Sequence, residues 1–217
     1  MTDRSEGSAA WSGRRTVLWL VAICTLIEVT LSLADIGALG PARLRSLAYD
    51  FGGFWPGLLR DWSPNFRAQP ILMFLTYGFL HGGIVHLAVN MITLWSLSRT
   101  ITDRVGNRNF LVLYVAALLG GALGYATLVP DLTPMVGASG ALFGLAGGIL
   151  AWAYVDLYTL EDRLWPVARA VLLLGALNLV LWWAMDGHLA WQTHLGGFLT
   201  GWIVALLIDP RARTEDL

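Results

Sequence analysis

Charge is scarce in this sequence, and lysine is absent altogether. Charged residues make up 13% of the 217 positions, and all fourteen basic residues are arginines. A soluble domain carries about 25% charged residues, so a surface that meets water on every side is excluded. The net charge of −1 gives no indication of a nucleic-acid partner. Cys24 is the only cysteine, which excludes an internal disulfide.

Hydrophobic residues are abundant instead. They make up 56% of the chain, and the mean hydropathy is +0.61. A helix needs about 20 mainly apolar residues to cross a hydrocarbon core of about 30 Å. Six stretches meet this requirement: Thr16–Ala34, Ile71–Leu97, Phe110–Val129, Val136–Tyr154, Trp165–Met185 and Leu189–Ile208. Charged or Pro/Gly-containing breaks separate them at 99–104, 130–134, 161–163 and 186–187. The sequence therefore predicts an all-α membrane protein with six transmembrane helices.

The distribution of arginines predicts the orientation. With the N-terminus inside, ten of the fourteen arginines fall in inner segments and four in the first outer loop, as the positive-inside rule favours. We expect cytoplasmic tails at 1–15 and 209–217, a membrane domain over 16–208, and an apolar first loop over 35–70 that lies in the interface. The run after Arg14-Arg15 also suits a secretory signal, but its length and the five later spans favour a retained helix. The expected location is a bacterial cell membrane.

A few polar residues lie inside these apolar spans. A polar side chain in hydrocarbon is costly and normally faces the bundle interior or a water-filled cavity. His86 and Asn90 are four residues apart and share one helix face. With the predicted topology these two residues, Ser139 and His194 all lie at one depth, near the outer surface.

Glycines surround the serine and the histidine. Ser139 opens a predicted helix, where free backbone N–H groups favour a developing negative charge. Two small-residue faces allow close helix packing; they comprise Gly137, Gly140, Gly144 and Gly148 around the serine, and Gly197 and Gly201 after His194. Packing of these faces is expected to bring Ser139 and His194 within hydrogen-bond reach.

Together these residues supply the parts of an acyl-transfer site: a nucleophile, a base and oxyanion donors. No carboxylate neighbours His194, since Asp186 is eight residues earlier, so the pattern favours a Ser–His dyad. Alone, Ser139 would more often be a packing residue, and His194 is as often a hydrogen-bonded packing residue as a functional one. Their convergence with His86 and Asn90 favours the functional interpretation.

The other polar residues receive structural interpretations. His81 does not share the face of His86, and His188 is expected to be solvated in a turn. No His-Glu-xx-His pattern occurs, so neither a metal nor another cofactor is predicted. Glu28 lies in mid-span and is assigned no function; it could pair with a polar group such as Asn178 or remain neutral.

At these motifs the chain resembles the rhomboid intramembrane proteases. The segment from His81 through His86 to Asn90 is similar to the second helix of the family, Gly137-Ala138-Ser139-Gly140 to its Gly-x-Ser-Gly motif, and His194-Leu195-Gly196-Gly197 to its histidine helix. The resemblance implies that Ser139 attacks the scissile carbonyl and His194 takes its proton. It also implies that His86, Asn90 and the Ser139 backbone N–H hold the oxyanion, and that transmembrane proteins within the lipid bilayer are the substrates, cut near the outer end of their helix.

Two features of many family members are missing. A Trp-Arg pair before the second helix is replaced by Gln69-Pro70, and a glutamate four residues before Gly106 is replaced by Thr102. These differences bear on loop anchoring more than on chemistry.

The competing hypotheses are a catalytically silent relative that binds membrane helices and, from another class, a small transporter, which would need charged or broken helices at mid-membrane. The sequence identifies no natural substrate and no oligomeric state.

Overall fold

The computed structural model describes residues 13–129 and 133–209. Within those ranges the chain forms seven α-helices and no strand. The helices are α1 (Arg14–Asp35), α2 (Leu44–Gly52), α3 (Gln69–Thr76), α4 (Ile84–Leu128), α5 (Ser139–Thr159), α6 (Trp165–Ala184) and α7 (Trp191–Ile208). Short 3-10 turns cover Pro56–Leu59 and Tyr77–Phe79. Nearly all of the predicted tails, and part of the predicted break at 130–134, lie outside the described residues.

Five of these helices (α1 and α4 to α7) are long and apolar enough to cross a membrane. Helix α4 has 45 residues and is interrupted at Gly106, whose φ of 77° and ψ of 170° are not helical. A straight helix of this length would measure about 68 Å, more than twice the thickness of the hydrocarbon core.

Helix α4 instead doubles back at Gly106. Tyr77, which precedes the helix, donates a hydrogen bond of 2.7 Å to the carbonyl of Leu118. In a straight helix Leu118 would lie about 50 Å from Ile84, farther than the linking residues reach. The two arms of α4 therefore supply two crossings, and the predicted all-α membrane bundle is confirmed.

Two predicted boundaries are wrong. The second span was expected over Ile71–Leu97, but the helix is broken between α3 and α4, where Gly83 has a φ of 116°. The predicted break at 99–104 is helical instead, and Arg99 and Asp103 form an i,i+4 ion pair of 3.6 Å there. Polar residues can continue a helix at the membrane edge, whereas a positive φ is readily adopted only by glycine. The chain therefore turns at Gly106.

The centre of the bundle is formed by the second arm of α4 with α5 and α7. Its helices approach so closely that several glycines leave no room for a side chain. A Cβ at Gly201 would overlap the carbonyl of Gly144, and one at Gly197 would overlap the carbonyl of Gly140. Small residues of this kind let membrane helices pack backbone to backbone. The faces predicted for α5 and α7 thus meet in the structure.

The first loop is tied to the bundle by an ion pair whose carboxylate is buried. Glu28 of α1 is fully buried and accepts two hydrogen bonds, of 2.8 and 3.0 Å, from Arg45 of α2. Arg45 also contacts Asp35 at 2.6 Å and donates to the carbonyl of His81 at 3.1 Å. The hydrogen bond to Glu28 holds the pKa of Arg45 above its already high ordinary value, so the guanidinium stays charged. Glu28 therefore pairs with Arg45, and the suggested pairing with Asn178 is wrong.

A second ion-pair network closes the opposite end of the bundle. Arg104 of α4 makes two hydrogen bonds, of 2.7 and 3.0 Å, to Asp156 of α5. It makes a third, of 2.6 Å, to Asp209, which follows α7. One guanidinium thus joins the end of the first arm of α4 to α5 and to the residue that follows α7.

Removing Arg45 is expected to destabilise the protein, because a buried carboxylate would lose its counter-charge. We expect Arg45→Ala to lower the free energy of unfolding by about 3 kcal/mol, measured by denaturant titration in detergent micelles. Arg43→Ala is the control, since Arg43 is exposed in the same loop and should change stability by no more than about 0.5 kcal/mol. Equal effects of the two substitutions would contradict this role for the Glu28–Arg45 pair.

Candidate active site

The candidate nucleophile is the first residue of α5. The loop before it is fixed at two points: Phe54 and Met135 exchange backbone hydrogen bonds of 2.9 Å, and the Gly137 N–H donates to the carbonyl of Tyr77 at 3.0 Å. Ser139 is half-buried, and its Oγ lies 2.8 Å from Nε2 of His194. The first loop and the 3-10 turn before α4 therefore both hold the start of α5 in place.

The imidazole of His194 is held from three sides. This residue lies in the first turn of α7 and is 4% exposed. Its Nε2 faces Ser139, and its Nδ1 lies 2.8 Å from Oδ1 of Asn178 on α6. The ring of Phe143 stacks on it with centroids 4.1 Å apart and planes at 6°. Because an amide oxygen only accepts hydrogen bonds, this arrangement places the proton on Nδ1 and leaves Nε2 free to accept one from serine.

Sequence reasoning missed two of these contacts. Phe143 is four residues after Ser139, so the helical period puts both on one face. This spacing could have predicted that Phe143 lies near the serine. Asn178 is the only amide in α6, but nothing in the sequence pairs it with a histidine on another helix. No carboxylate partner was expected for His194, and the structure has an amide in that position.

The ring of His86 lies against the loop that leads to Ser139. Its Nδ1 accepts a hydrogen bond of 3.2 Å from the Gly82 N–H, so in the neutral ring Nε2 carries the proton. A Cβ at Gly137 would lie 2.7 Å from Cε1 and 3.0 Å from Nε2 of this ring. Gly137 also has a φ of 127°. Both the close approach and the backbone conformation require glycine, and the ring edge that carries the Nε2–H faces the loop.

Asn90 lies one turn farther along the same helix face. It is 3% exposed, and its Nδ2 donates to the carbonyl of His86 at 2.8 Å. The second amide hydrogen remains for another acceptor, and Oδ1 has no hydrogen-bond partner within the described part of the chain. The structure thus brings together Ser139, His194 and His86, with Asn90 one turn away. The catalytic roles of all four remain predictions.

The glycines named from the sequence lie around these residues. Gly140 and Gly144 of α5 face Gly197 and Gly201 of α7 at van der Waals distance, and these are the helices that carry Ser139 and His194. The close backbone contact of α5 with α7 therefore brings the serine and the histidine within hydrogen-bond distance.

The remaining histidines lie apart from this hydrogen-bond chain. His81 is fully buried, and its ring meets that of His86 edge to face at 5.3 Å. His188 is exposed in the turn after α6. Across residues 13–129 and 133–209, no group of three His, Cys, Asp or Glu side chains could hold a metal ion. That the site works without a metal or cofactor remains a prediction.

Comparisons with known proteins bear on this arrangement. A family model described as "Rhomboid domain" matches residues 68–211. The chain is 34% identical over 139 residues to "Rhomboid protease GluP" of Bacillus subtilis (strain 168), covering 64% of this chain and 26% of that protein. It is 32% identical over 139 residues to "RHOMBOID-like protein 4" of Arabidopsis thaliana, covering 63% of this chain and 34% of that protein. It is 31% identical over 157 residues to "Rhomboid-like protease 3" of Toxoplasma gondii, covering 72% of this chain and 58% of that protein.

The chain spans between about a quarter and three fifths of the length of these three relatives. The matched family region begins just before α3 and ends after α7. It includes every candidate site residue, whereas α1 and the Glu28–Arg45 ion pair lie outside it.

Widening the contact between α5 and α7 is expected to destabilise the bundle. Gly201→Ala inserts a methyl group against the backbone of Gly144 and should lower the free energy of unfolding by about 1–3 kcal/mol. Gly175→Ala is the matched control, because a Cβ at Gly175 in α6 meets nothing within 4 Å. The control should raise stability by up to about 1 kcal/mol, since alanine favours helix over glycine. Unfolding of both variants in detergent would test this, and a stabilising effect at Gly201 would contradict it.

Proposed function

Because this chain belongs to the Rhomboid family of membrane proteins, we propose that it is an intramembrane serine endopeptidase in which Ser139 is the nucleophile and His194 the base. The observation that carries the proposal is the 2.8 Å hydrogen bond between Ser139 Oγ and His194 Nε2. The two residues come from different helices, so their meeting depends on the fold rather than on local sequence. A nucleophile and a base within hydrogen-bond reach, the base being oriented by a third group, are the signature of an activated serine.

The first step transfers an acyl group to the enzyme. Ser139 Oγ attacks the carbonyl carbon of the scissile peptide bond while its proton passes to Nε2 of His194. A tetrahedral intermediate forms, and its negative charge lies on the former carbonyl oxygen. The C–N bond then breaks as Nε2 returns the proton to the departing amine. The products of this step are the downstream fragment of the substrate, released with a free amino group, and an ester that joins the upstream fragment to Ser139.

The negative charge of the intermediate needs preorganised donors. His86 Nε2–H is a suitable donor, since Nδ1 of that ring already accepts from Gly82. The second amide hydrogen of Asn90 and the backbone N–H of Ser139, at the positive end of α5, complete the set that we propose. All three groups lie at the same end of the bundle, where α4 and α5 begin.

The second step consumes one water molecule. His194 removes a proton from water, the resulting hydroxide attacks the ester carbonyl, and Ser139 leaves with the proton from Nε2. The enzyme returns to its starting state, and the upstream fragment is released with a free carboxyl group. The resemblance to the family implies the substrates that we propose: transmembrane segments, cut near the outer end of the helix where small or helix-breaking residues expose the backbone.

A catalytically silent relative that binds membrane helices is the second candidate function. Such a protein would bind its partner helices without needing a serine hydrogen-bonded to an imidazole. The intact Ser139–His194 hydrogen bond and the Nδ1 contact to Asn178 favour the enzyme, because a binding protein gains nothing from this proton arrangement.

Reaction with a fluorophosphonate probe is expected at Ser139. The reagent phosphonylates a serine that is deprotonated by a neighbouring base, so the wild-type protein should be labelled and should cleave a model single-span substrate. Ser139→Ala and His194→Ala should each abolish cleavage and labelling. Ser96→Ala is the control, since this exposed serine bonds only locally to the Ile92 carbonyl. A wild-type protein that is neither labelled nor active across several detergents and lipids would favour the silent relative.

Asn90→Ala is expected to slow turnover by about 100-fold or more, the usual effect of losing one oxyanion donor. The loss should appear in kcat with little change in KM, because the donor acts on the transition state. The unfolding midpoint of the variant should equal that of the wild type, which distinguishes the loss of an oxyanion donor from a loss of packing. An unchanged kcat would remove Asn90 from the oxyanion site.

A further inference from the structure

We propose that Asn178 is a positioning residue: it selects the ring orientation and the tautomer in which His194 faces Ser139, and it does so from α6, the least buried of the membrane-crossing helices. This inference rests on the proposed function for its kinetic consequences. Its structural consequence, the location of a proton on the imidazole, holds whether or not the protein cleaves a substrate.

The stacked ring of Phe143 fixes only the plane of the imidazole. A rotation of 180° about the Cβ–Cγ bond keeps that plane and the stacking contact. It would, however, exchange Nε2 with Cε1 and Nδ1 with Cδ2, and a carbon would then face the serine hydroxyl. Stacking therefore cannot distinguish a productive ring from an inverted one.

The hydrogen bond to Asn178 makes this distinction. Its Oδ1 lies 2.8 Å from Nδ1, and an inverted ring would present a C–H to that oxygen. Because the oxygen only accepts, it also requires the proton to be on Nδ1. Nε2 is then unprotonated and accepts from Ser139. The amide is too weak a base to take the Nδ1 proton, so it orients the imidazolium during turnover and takes part in no proton transfer.

The location of Asn178 makes the base dependent on α6. Only Val167 is buried among the 20 residues of this helix, and Leu177 and Leu179 beside Asn178 are 50% and 65% exposed. Asn178 itself is only half-buried. An amide on such an apolar helix is costly unless it faces a polar group, and here that group is His194. Any displacement of α6 at this level would break the contact that orients the base.

The test uses two substitutions at Asn178 and one control. Asn178→Leu keeps a similar volume and removes the acceptor, and Asn178→Asp keeps an acceptor oxygen in nearly the same shape. Gly175→Ala lies on the same helix and meets open space. We expect Asn178→Leu to lower kcat by about 10- to 100-fold, the range seen when a metal-ligating histidine loses the hydrogen bond that orients it, while KM changes by less than about twofold.

Asn178→Asp should recover most of that loss, and Gly175→Ala should match the wild type. A carboxylate beside Nδ1 favours the protonated ring, so the acid limb of the kcat–pH profile should move to higher pH in Asn178→Asp. The groups that face His194 are Ser139 and Phe143 on α5 and Asn178 on α6, with His86 on α4 acting at longer range. All except Asn178 are kept unchanged in these variants.

The decisive readout is 15N NMR of the histidine-labelled protein, assigned with His194→Ala. In the wild type we expect a pyrrole-type signal for Nδ1 and a pyridine-type signal for Nε2, and in Asn178→Leu a mixture of tautomers. The same tautomer and the same kcat in Asn178→Leu as in the wild type would overturn the proposal. A tautomer that changes in a protein without protease activity would support the positioning role while contradicting the proposed function.

Discussion

The site depends on one physical contact, the backbone approach of α5 to α7. Lipid is as apolar as leucine, so membrane helices associate through packing and hydrogen bonds rather than through the hydrophobic effect. Gly140 and Gly144 meet Gly197 and Gly201 without intervening side chains. Only at this separation can the short side chain of Ser139 reach the imidazole of His194. A wider crossing would leave both residues in place on their helices and separate the two atoms.

The ends of the bundle are held by charge. Arg45 anchors the first loop to Glu28, and Arg104 anchors the other end to Asp156 and Asp209. The two features that this chain lacks, a Trp-Arg pair and a glutamate at position 102, were expected to affect loop anchoring. The Arg45 network provides such an anchor from within the first loop, and through the carbonyl of His81 it reaches the segment just before His86. Thr102 is buried in α4, and the neighbouring Arg104 supplies the inter-helix contacts at that end.

Periodicity and hydropathy were sufficient to predict the bundle, because the length of an apolar run is fixed by the membrane it crosses. They were insufficient at Gly106 and at 80–83, where single glycines with positive φ decide where a helix breaks. The approach of Ser139 to His194 could be anticipated because Gly-xxx-Gly faces on two helices allow their backbones to pack closely. The partners of Glu28 and His194 could not be anticipated. Arg45 and Asn178 are side chains on other helices, and their positions depend on the whole fold. The topology and the domain limits remain predictions.

We propose that a serine, a histidine and a set of oxyanion donors converge on one reacting carbonyl. The most direct measurement is an experimental structure of the protein after reaction with a phosphonate inhibitor, which imitates the tetrahedral intermediate. In that structure we expect phosphorus bonded to Ser139 Oγ and a phosphoryl oxygen within about 3 Å of His86 Nε2, Asn90 Nδ2 and the Ser139 backbone nitrogen. A phosphoryl oxygen directed away from these donors, or a phosphonate attached to another residue, would contradict it.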